Sequence, residues 1–332
     1  MKKTLVSVAV LAAASGSAMA QSSVTLYGTA DAGVGKFQGG KVGMMTNSLV
    51  TTSDSFIGFR GTEDMGGGLK AGFQFESSIN LRDGSSDVNS AYWTKTMYQR
   101  AANVWLGGNW GTLRLGRAYT PSRNALAAWD LTGGARNSIV INTFGTPGNA
   151  EERNSSQISY KTPDFGGFAA ELGYVLKPDN GGNAKVDLGL TFVNGPLRAG
   201  LSYNKQKNSK ANYAVGAQYQ FGMFAVAAGY HHTANANYFD DETNQLIPDA
   251  VSRLSGFSVG AKANFGAASL LVNVARDTKA NYDLHGVSYK GEKRTNGLVE
   301  GRYAFSKRTF VYANYVRYSS GNNYGIDMRH DF

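Results

Sequence analysis

Arginine is the residue type whose spacing in this chain could do chemistry. Arg100, Arg114, Arg117, Arg123, Arg136 and Arg153 fall in one segment whose acids are Asp130, Glu151 and Glu152. A guanidinium stays charged at any working pH. Several of them facing one narrow passage favour anions, because low-dielectric walls focus the field of a few fixed charges. The plain alternative is local pairing, for instance Arg153 with Glu151 or Glu152. Other reactive types are poorly placed. The histidines are His231, His232, His285 and His330, and no G-x-S-x-G nucleophile motif accompanies them. Asp240-Asp241-Glu242 offers oxygen ligands for a divalent cation but reads as a solvated acidic loop. Gly33-Val34-Gly35 and Gly66-Gly67-Gly68 are turn glycines, since neither opens a phosphate loop leading into a helix. No cofactor, metal site or enzymatic activity is expected.

The element that must position these arginines is the stretch 119–152. It lies between two strand-like segments, Thr112 to Ala118 and Arg153 to Lys161, and has no strand period of its own. A connection that long in a folded chain is functional or disordered. Tyr119, Leu126, Trp129, Leu131, Ile139, Val140, Ile141 and Phe144 give it something to bury. We therefore expect it to pack inside a larger structure and narrow a passage. No segment of the chain offers a convincing helical stripe, so little helix is expected.

That larger structure is announced by alternation. Val24, Leu26, Gly28, Ala30, Ala32 and Val34 share one face of a strand, and Thr25, Tyr27, Thr29 and Asp31 the other. Leu69 to Glu76, Lys185 to Phe192 and Leu197 to Asn204 repeat the pattern. A period of two with unlike faces means a strand with two different neighbours. Connections alternate as well. Short turns such as Asn194-Gly195-Pro196 and Phe221-Gly222-Met223 are separated by longer ones at roughly 35–53, 81–98, 119–152, 178–184, 205–210, 232–252, 279–294 and 319–322. The segments between these breaks make sixteen strands, from Ser23 to Phe332. An even count, strands of about ten residues, short turns at one end and long loops at the other mark an outer-membrane barrel. Lipid offers no partner to an open sheet edge, so the sheet must close. The expected fold is all-β: a transmembrane 16-stranded antiparallel β-barrel with its apolar face on lipid and its polar face on water. Short turns are expected at the periplasmic end, long loops outside, and the third loop folded inward.

Composition agrees. The 332 residues hold no cysteine, 42 glycines, 6 prolines, and 35 tyrosines and phenylalanines. Lys2 and Lys3, the apolar run Leu5 to Ala14 and Ala18-Met19-Ala20 read as a secretory leader over residues 1–20, leaving 21–332 as the barrel. The formal charge of +9 is spread along the chain, without the basic block of a nucleic-acid arm. Aromatics beside the short turns, including Tyr160, Phe165, Phe168, Tyr219, Phe221, Phe224, Phe265, Phe305 and Phe310, read as an interfacial girdle.

Four stretches carry a family resemblance. Ser23-Val24-Thr25-Leu26-Tyr27-Gly28, Gly61 to Ala71, Gly111 to Arg117 and the ending Met328-Arg329-His330-Asp331-Phe332 together resemble the general porins of β-proteobacteria. The resemblance covers the whole mature chain. It implies a homotrimeric diffusion channel for small hydrophilic solutes and anions, set in outer-membrane lipid and lipopolysaccharide. It also implies a third loop that forms the constriction, and a terminal Phe332 read by the barrel-assembly machinery. Carried over by motif, Arg117 and Arg153, less securely Arg100, and with them Arg60 and Arg114, make the basic wall. Asp130, Arg123, Arg136, Glu151 and Glu152 belong to the constriction loop. Phe56 and Thr29 stand where relatives carry basic residues, so a weak to moderate anion preference is expected. A substrate-specific channel and an adhesin or receptor barrel remain the competing classes.

Overall fold

A computed structural model describes residues 23–37, 39–86, 96–145, 152–239, 246–284, 287–318 and 321–332. The leader, Glu151, His285 and Asp240-Asp241-Glu242 lie outside the described residues. Sixteen long strands form the wall: β1 Ser23–Lys36, β2 Phe56–Gly66, β3 Leu69–Ser78, β4 Ala101–Gly108, β5 Gly111–Tyr119, β6 Arg153–Lys161, β7 Phe168–Val175 and β8 Lys185–Asn194, followed by β9 Leu197–Gln206, β10 Asn212–Phe221, β11 Phe224–Phe239, β12 Leu246–Phe265, β13 Ala268–Asp277, β14 Thr295–Ala304, β15 Thr309–Tyr318 and β16 Gly321–Asp331. Each pairs antiparallel with its sequence neighbour. The sheet closes where β1 meets β16, in a register running from Thr29 opposite Asp331 to Lys36 opposite Tyr324. Short strands at Gly43–Thr46, Asn281–Leu284 and Val287–Lys290 ornament the long loops. The connection expected at 232–252 is largely strand instead, because β11 and β12 run on together beyond the wall as far as Phe239 and Leu246.

The alternation seen in the sequence sorts side chains between two solvents. Ile326 is 71% exposed and its neighbour Asp327 is 2% exposed. The same inversion runs round the barrel, with Val104, Leu172, Val259 and Leu270 outside and Asn103, Asp187, Asn273 and Asn314 within. Only a barrel whose outside is hydrocarbon tolerates that arrangement. Phe165, Phe168, Phe221, Phe224, Phe265 and Phe305 are exposed beside the short turns, as a girdle requires. Phe310 is not among them: it is buried, facing the lumen beneath Arg302 at 4.1 Å.

The long loop after β5 enters the lumen and builds an apolar core there. It does so with two short helices where the sequence showed no stripe, α1 Pro121–Trp129 and α2 Ile139–Phe144. Thr120 caps α1, its hydroxyl accepting from the Arg123 N–H at 3.1 Å, and Pro121 stands in the first turn, where its missing N–H costs nothing. Ser138 caps α2 in the same way. The buried positions of α1 are Pro121, Ser122, Ala125, Leu126 and Trp129. That is a helical stripe, hidden in the sequence because three of its five members are small. Leu126, Trp129, Ile139, Val140 and Phe144 then pack on Ala225, Ala227, Leu271, Ala275, Leu298 and Val316 of the inner wall.

Candidate functional site

Close approach between α1 and the wall is made possible by glycine. Gly189, Gly200, Gly216 and Gly229 lie on four successive strands, β8 to β11. A Cβ at Gly189 would overlap the Pro121 carbonyl, one at Gly200 the Ala125 carbonyl, and one at Gly216 or Gly229 the Trp129 ring. The loop is further pinned by polar bonds. The Ser122 N–H donates to Asp187 at 2.6 Å, the Asn137 amide to Glu300 at 2.8 Å, and the Asn142 amide to the Tyr318 hydroxyl at 2.9 Å.

The opposite edge of the loop is not packed. Thr132 to Arg136 face the wall across a recess of about 370 Å³. Arg100, Arg123, Arg136, Arg153 and Arg329 line it, against the carboxylates Asp54, Glu76 and Glu152. Five guanidinium groups thus meet three acids. Asp54, at the end of the first long loop, is held 3.1 Å from Arg100 and 3.3 Å from Arg136. Burial alone would raise the Asp54 carboxyl. The guanidiniums of Arg136, Arg100 and Arg153 outweigh it and hold the group below the ordinary carboxylate range. Arg100 also lies 3.6 Å from Glu76, and Arg123 lies 3.4 Å from Glu152.

Aromatic rings, which offer attraction without neutralising charge, hold several of these arginines. Phe56 lies under Arg100 at 4.4 Å, so its ring helps to hold that guanidinium at the recess. Tyr119 has both Arg123 and Arg153 at 4.0 Å from its ring centroid. Arg153 sits directly across the ladder from Tyr119, at the point where β5 turns inward.

Not every expected residue joins this group. Arg117 is a correction. It shares its face with Leu113 and Leu115, which are exposed to lipid, and pairs across β4 with Ala102. Its guanidinium bonds to the Gln99 carbonyl at 2.5 Å and to the Ser155 hydroxyl at 2.7 Å. A bulge in β6 at Ser155 and Ser156 lies opposite it, with Ser156 at a φ of 50°. Arg60 and Arg114 do face the lumen, with Arg60 4.6 Å from the Tyr27 ring and Arg114 opposite Trp105 and Ser159, but both lie further down the strands, outside the recess. Asp130 does not line the recess. It is buried at the end of α1, where its carboxylate accepts from the Thr132 hydroxyl and the Gly134 N–H.

Sequence reasoning missed Asp54, Tyr119 and Arg329 as members of the site. Arg329 was within reach: it alternates with Asp327 and Asp331 on the polar face of β16. Nothing in the local sequence marks Asp54, whose place depends on the loop entering from another part of the chain.

Known proteins match this chain along nearly all of its length. The family model described as Gram-negative porin matches residues 7–323. Outer membrane porin protein 32 of Delftia acidovorans is 33% identical over 334 residues, spanning 95% of this chain and 88% of the relative. An outer membrane porin protein of Bordetella pertussis is 28% identical over 404 residues, with 100% of both chains covered. The solved anion-selective porin from Comamonas acidovorans superposes with a TM-score of 0.72 at 25% identity, covering 94% of this chain and 100% of that one.

Proposed function

As the chain belongs to the Gram-negative porins of the outer membrane, we propose that its barrel is a water-filled channel for passive diffusion of small hydrophilic solutes, with a weak to moderate preference for anions. The observation that carries the preference is the recess between loop and wall, where five arginines meet three carboxylates. A permeating anion sheds part of its hydration against these groups, and the low-dielectric wall behind them strengthens their field. A permeating cation meets Asp54 and Glu76 already engaged by Arg100. The relative from Comamonas, itself called anion-selective, supports the same sign. Passage needs no bond making, so the protein acts as a channel rather than an enzyme.

Reversal potentials in a KCl gradient across a planar bilayer test this reading. Chloride should pass more easily than potassium, and the difference should widen as salt is lowered, because the Debye length of about 10 Å at 0.1 M is comparable to a pore radius. A preference for potassium in the native channel would overturn it. Export with loss of residues 1–20, assembly as a homotrimer and recognition of Phe332 by the assembly machinery complete the proposal. The role of Phe332 is supported by its place at the seam, where its N–H and carbonyl both bond to Gly28 of β1 at 3.0 Å. Outer-leaflet lipopolysaccharide is the proposed surrounding lipid.

A further inference from the structure

The inner wall is used unequally. The third loop packs on it from β8 to β15. On the other side, from β1 to β6, four aromatic rings face the lumen: Tyr27, Phe56, Trp105 and Tyr119. Each is half-buried, so part of each ring meets the channel. Apolar surface left in water is unfavourable, and polar side chains would line an aqueous wall without that cost. Each ring also has a guanidinium beside it. Arg123 and Arg153 lie 4.0 Å from Tyr119, Arg100 lies 4.4 Å from Phe56, and Arg60 lies 4.6 Å from Tyr27. Arg114 stands directly across the ladder from Trp105, whose indole lies over Gly72.

The pairs form a descending series. Tyr27 and Phe56 meet edge to face, with ring centroids 6.0 Å apart. Arg60 follows Phe56 by four residues on β2, and Arg114 precedes Tyr119 by five on β5. At a strand rise of about 3.3 Å those steps lead roughly 13 and 17 Å along the strands, from the recess toward the short turns. Free charge follows the same series. Arg100 is taken up by Asp54 and Glu76. Among the described residues no ion pair engages Arg60, Arg114 or Arg153. Arg153 is only 5% exposed, and its Nε has no hydrogen-bond partner. Each of these three arginines stands beside a ring.

An inorganic anion would use the charge of this series and leave the rings idle. A planar organic anion uses both. Its carboxylate bonds the N–H edge of a guanidinium, and its ring stacks on a guanidinium face or on a neighbouring side-chain ring. We propose that Tyr27, Trp105 and Tyr119, with Arg60, Arg114 and Arg153, form a track of binding positions for aromatic carboxylates between the recess and the mouth at the short turns. The track names a solute class for the anion-preferring channel and rests on that reading. It gives aromatic acids a residence in the pore that chloride and aliphatic acids of similar size lack.

The test uses the full-length protein in a planar bilayer at neutral pH and two probes, benzoate and cyclohexanecarboxylate. These share carbon count and charge and differ in aromaticity. Each is titrated into KCl, and the concentration that half-blocks the chloride current is read. Benzoate should half-block at a concentration at least about threefold lower, the low end of what one cation–π contact contributes. Tyr27→Leu with Trp105→Leu keeps every arginine and removes two rings, and the two acids should then half-block at the same concentration. Tyr27→Phe with Trp105→Phe keeps two rings and should retain the difference, which separates loss of stacking from loss of packing. The readout is a ratio between two acids in one channel, so a change in overall conductance does not enter it. Equal half-blocking concentrations in the native channel would overturn the track, as would a ratio that survives the leucine variant. An anion-preferring channel that treats the two acids alike removes only the track, whereas a preference for potassium overturns the functional reading beneath it.

Discussion

The two edges of the third loop are built on opposite principles. One edge, α1, is pressed against glycine positions of β8 to β11 so closely that backbone and ring atoms occupy the space of missing side chains. The other edge, Thr132 to Arg136, stands off from the wall across an open recess lined by charge. Packing is short-ranged and unforgiving, so the docked edge fixes where the loop sits. Charge acts across water and tolerates displacement, so the open edge is the one proposed to set what passes. A pore of this kind separates its mechanical problem from its electrostatic one.

Breaking the docked edge should have the largest effect. Gly200→Val drives a branched side chain into the Ala125 carbonyl, and overpacking of this kind costs about 1–3 kcal/mol. We expect α1 to lift from the wall, with a conductance changed severalfold and new cleavage by trypsin at Arg123 or Arg136 while the barrel itself stays heat-resistant. Trp129→Ala attacks the same edge from the loop side and should cost about 3–5 kcal/mol of docking. If both variants conduct like the native channel, the loop is not held by this face.

Breaking the open edge should leave the loop in place and change selectivity. Arg100→Ala with Arg153→Ala removes two of the five guanidiniums. The permeability ratio of chloride to potassium should fall severalfold, toward or past unity, and conductance should rise as bulk is lost. A reversal potential that stays put would show that these arginines do not govern the passage.

Asp54 joins the two edges, because it is the acid that ties the wall arginine Arg100 to the loop arginine Arg136. Its folded-state carboxyl is depressed. The stabilisation it gives is therefore present above the unfolded value of about 3.9 and is lost only as pH falls through the lower folded one. Channel recordings from pH 7 to pH 4.5 should show no loosening of the loop attributable to Asp54. Asp54→Asn should loosen it at every pH in that range, seen as added current noise, while a charge is also lost and anion preference rises modestly. The smallest effect is expected from Arg117→Ala, whose parent side chain lies on the outer face. Its reversal potential should be that of the native channel, and a clear shift would return Arg117 to the pore.

Much of this molecule is local in the sequence. A strand with one neighbour on lipid and another on water must alternate, and it does so in most wall segments, the exceptions lying where the third loop packs on the inner wall; the turns between strands need left-handed backbone, which glycine supplies at Gly195, Gly222 and Gly266. Strand count and closure follow from those local facts together with the absence of hydrogen-bond partners in lipid, and the apolar content of 119–152 pointed that loop inward. The tertiary structure alone decided the rest. The α1 stripe is made of Pro121, Ser122 and Ala125 as much as of Leu126 and Trp129, and small residues become a packing face only when glycines stand opposite. Arg117 and Tyr119 lie two residues apart on one strand, yet the first faces outward and the second lines the recess, because the chain leaves the wall at Thr120. Asp54 meets Arg100 and Arg136 across two loops and a strand. Alternation is a property of neighbouring residues and can be read from the chain, whereas which charges share one aqueous recess depends on segments far apart in sequence and is settled only when they pack.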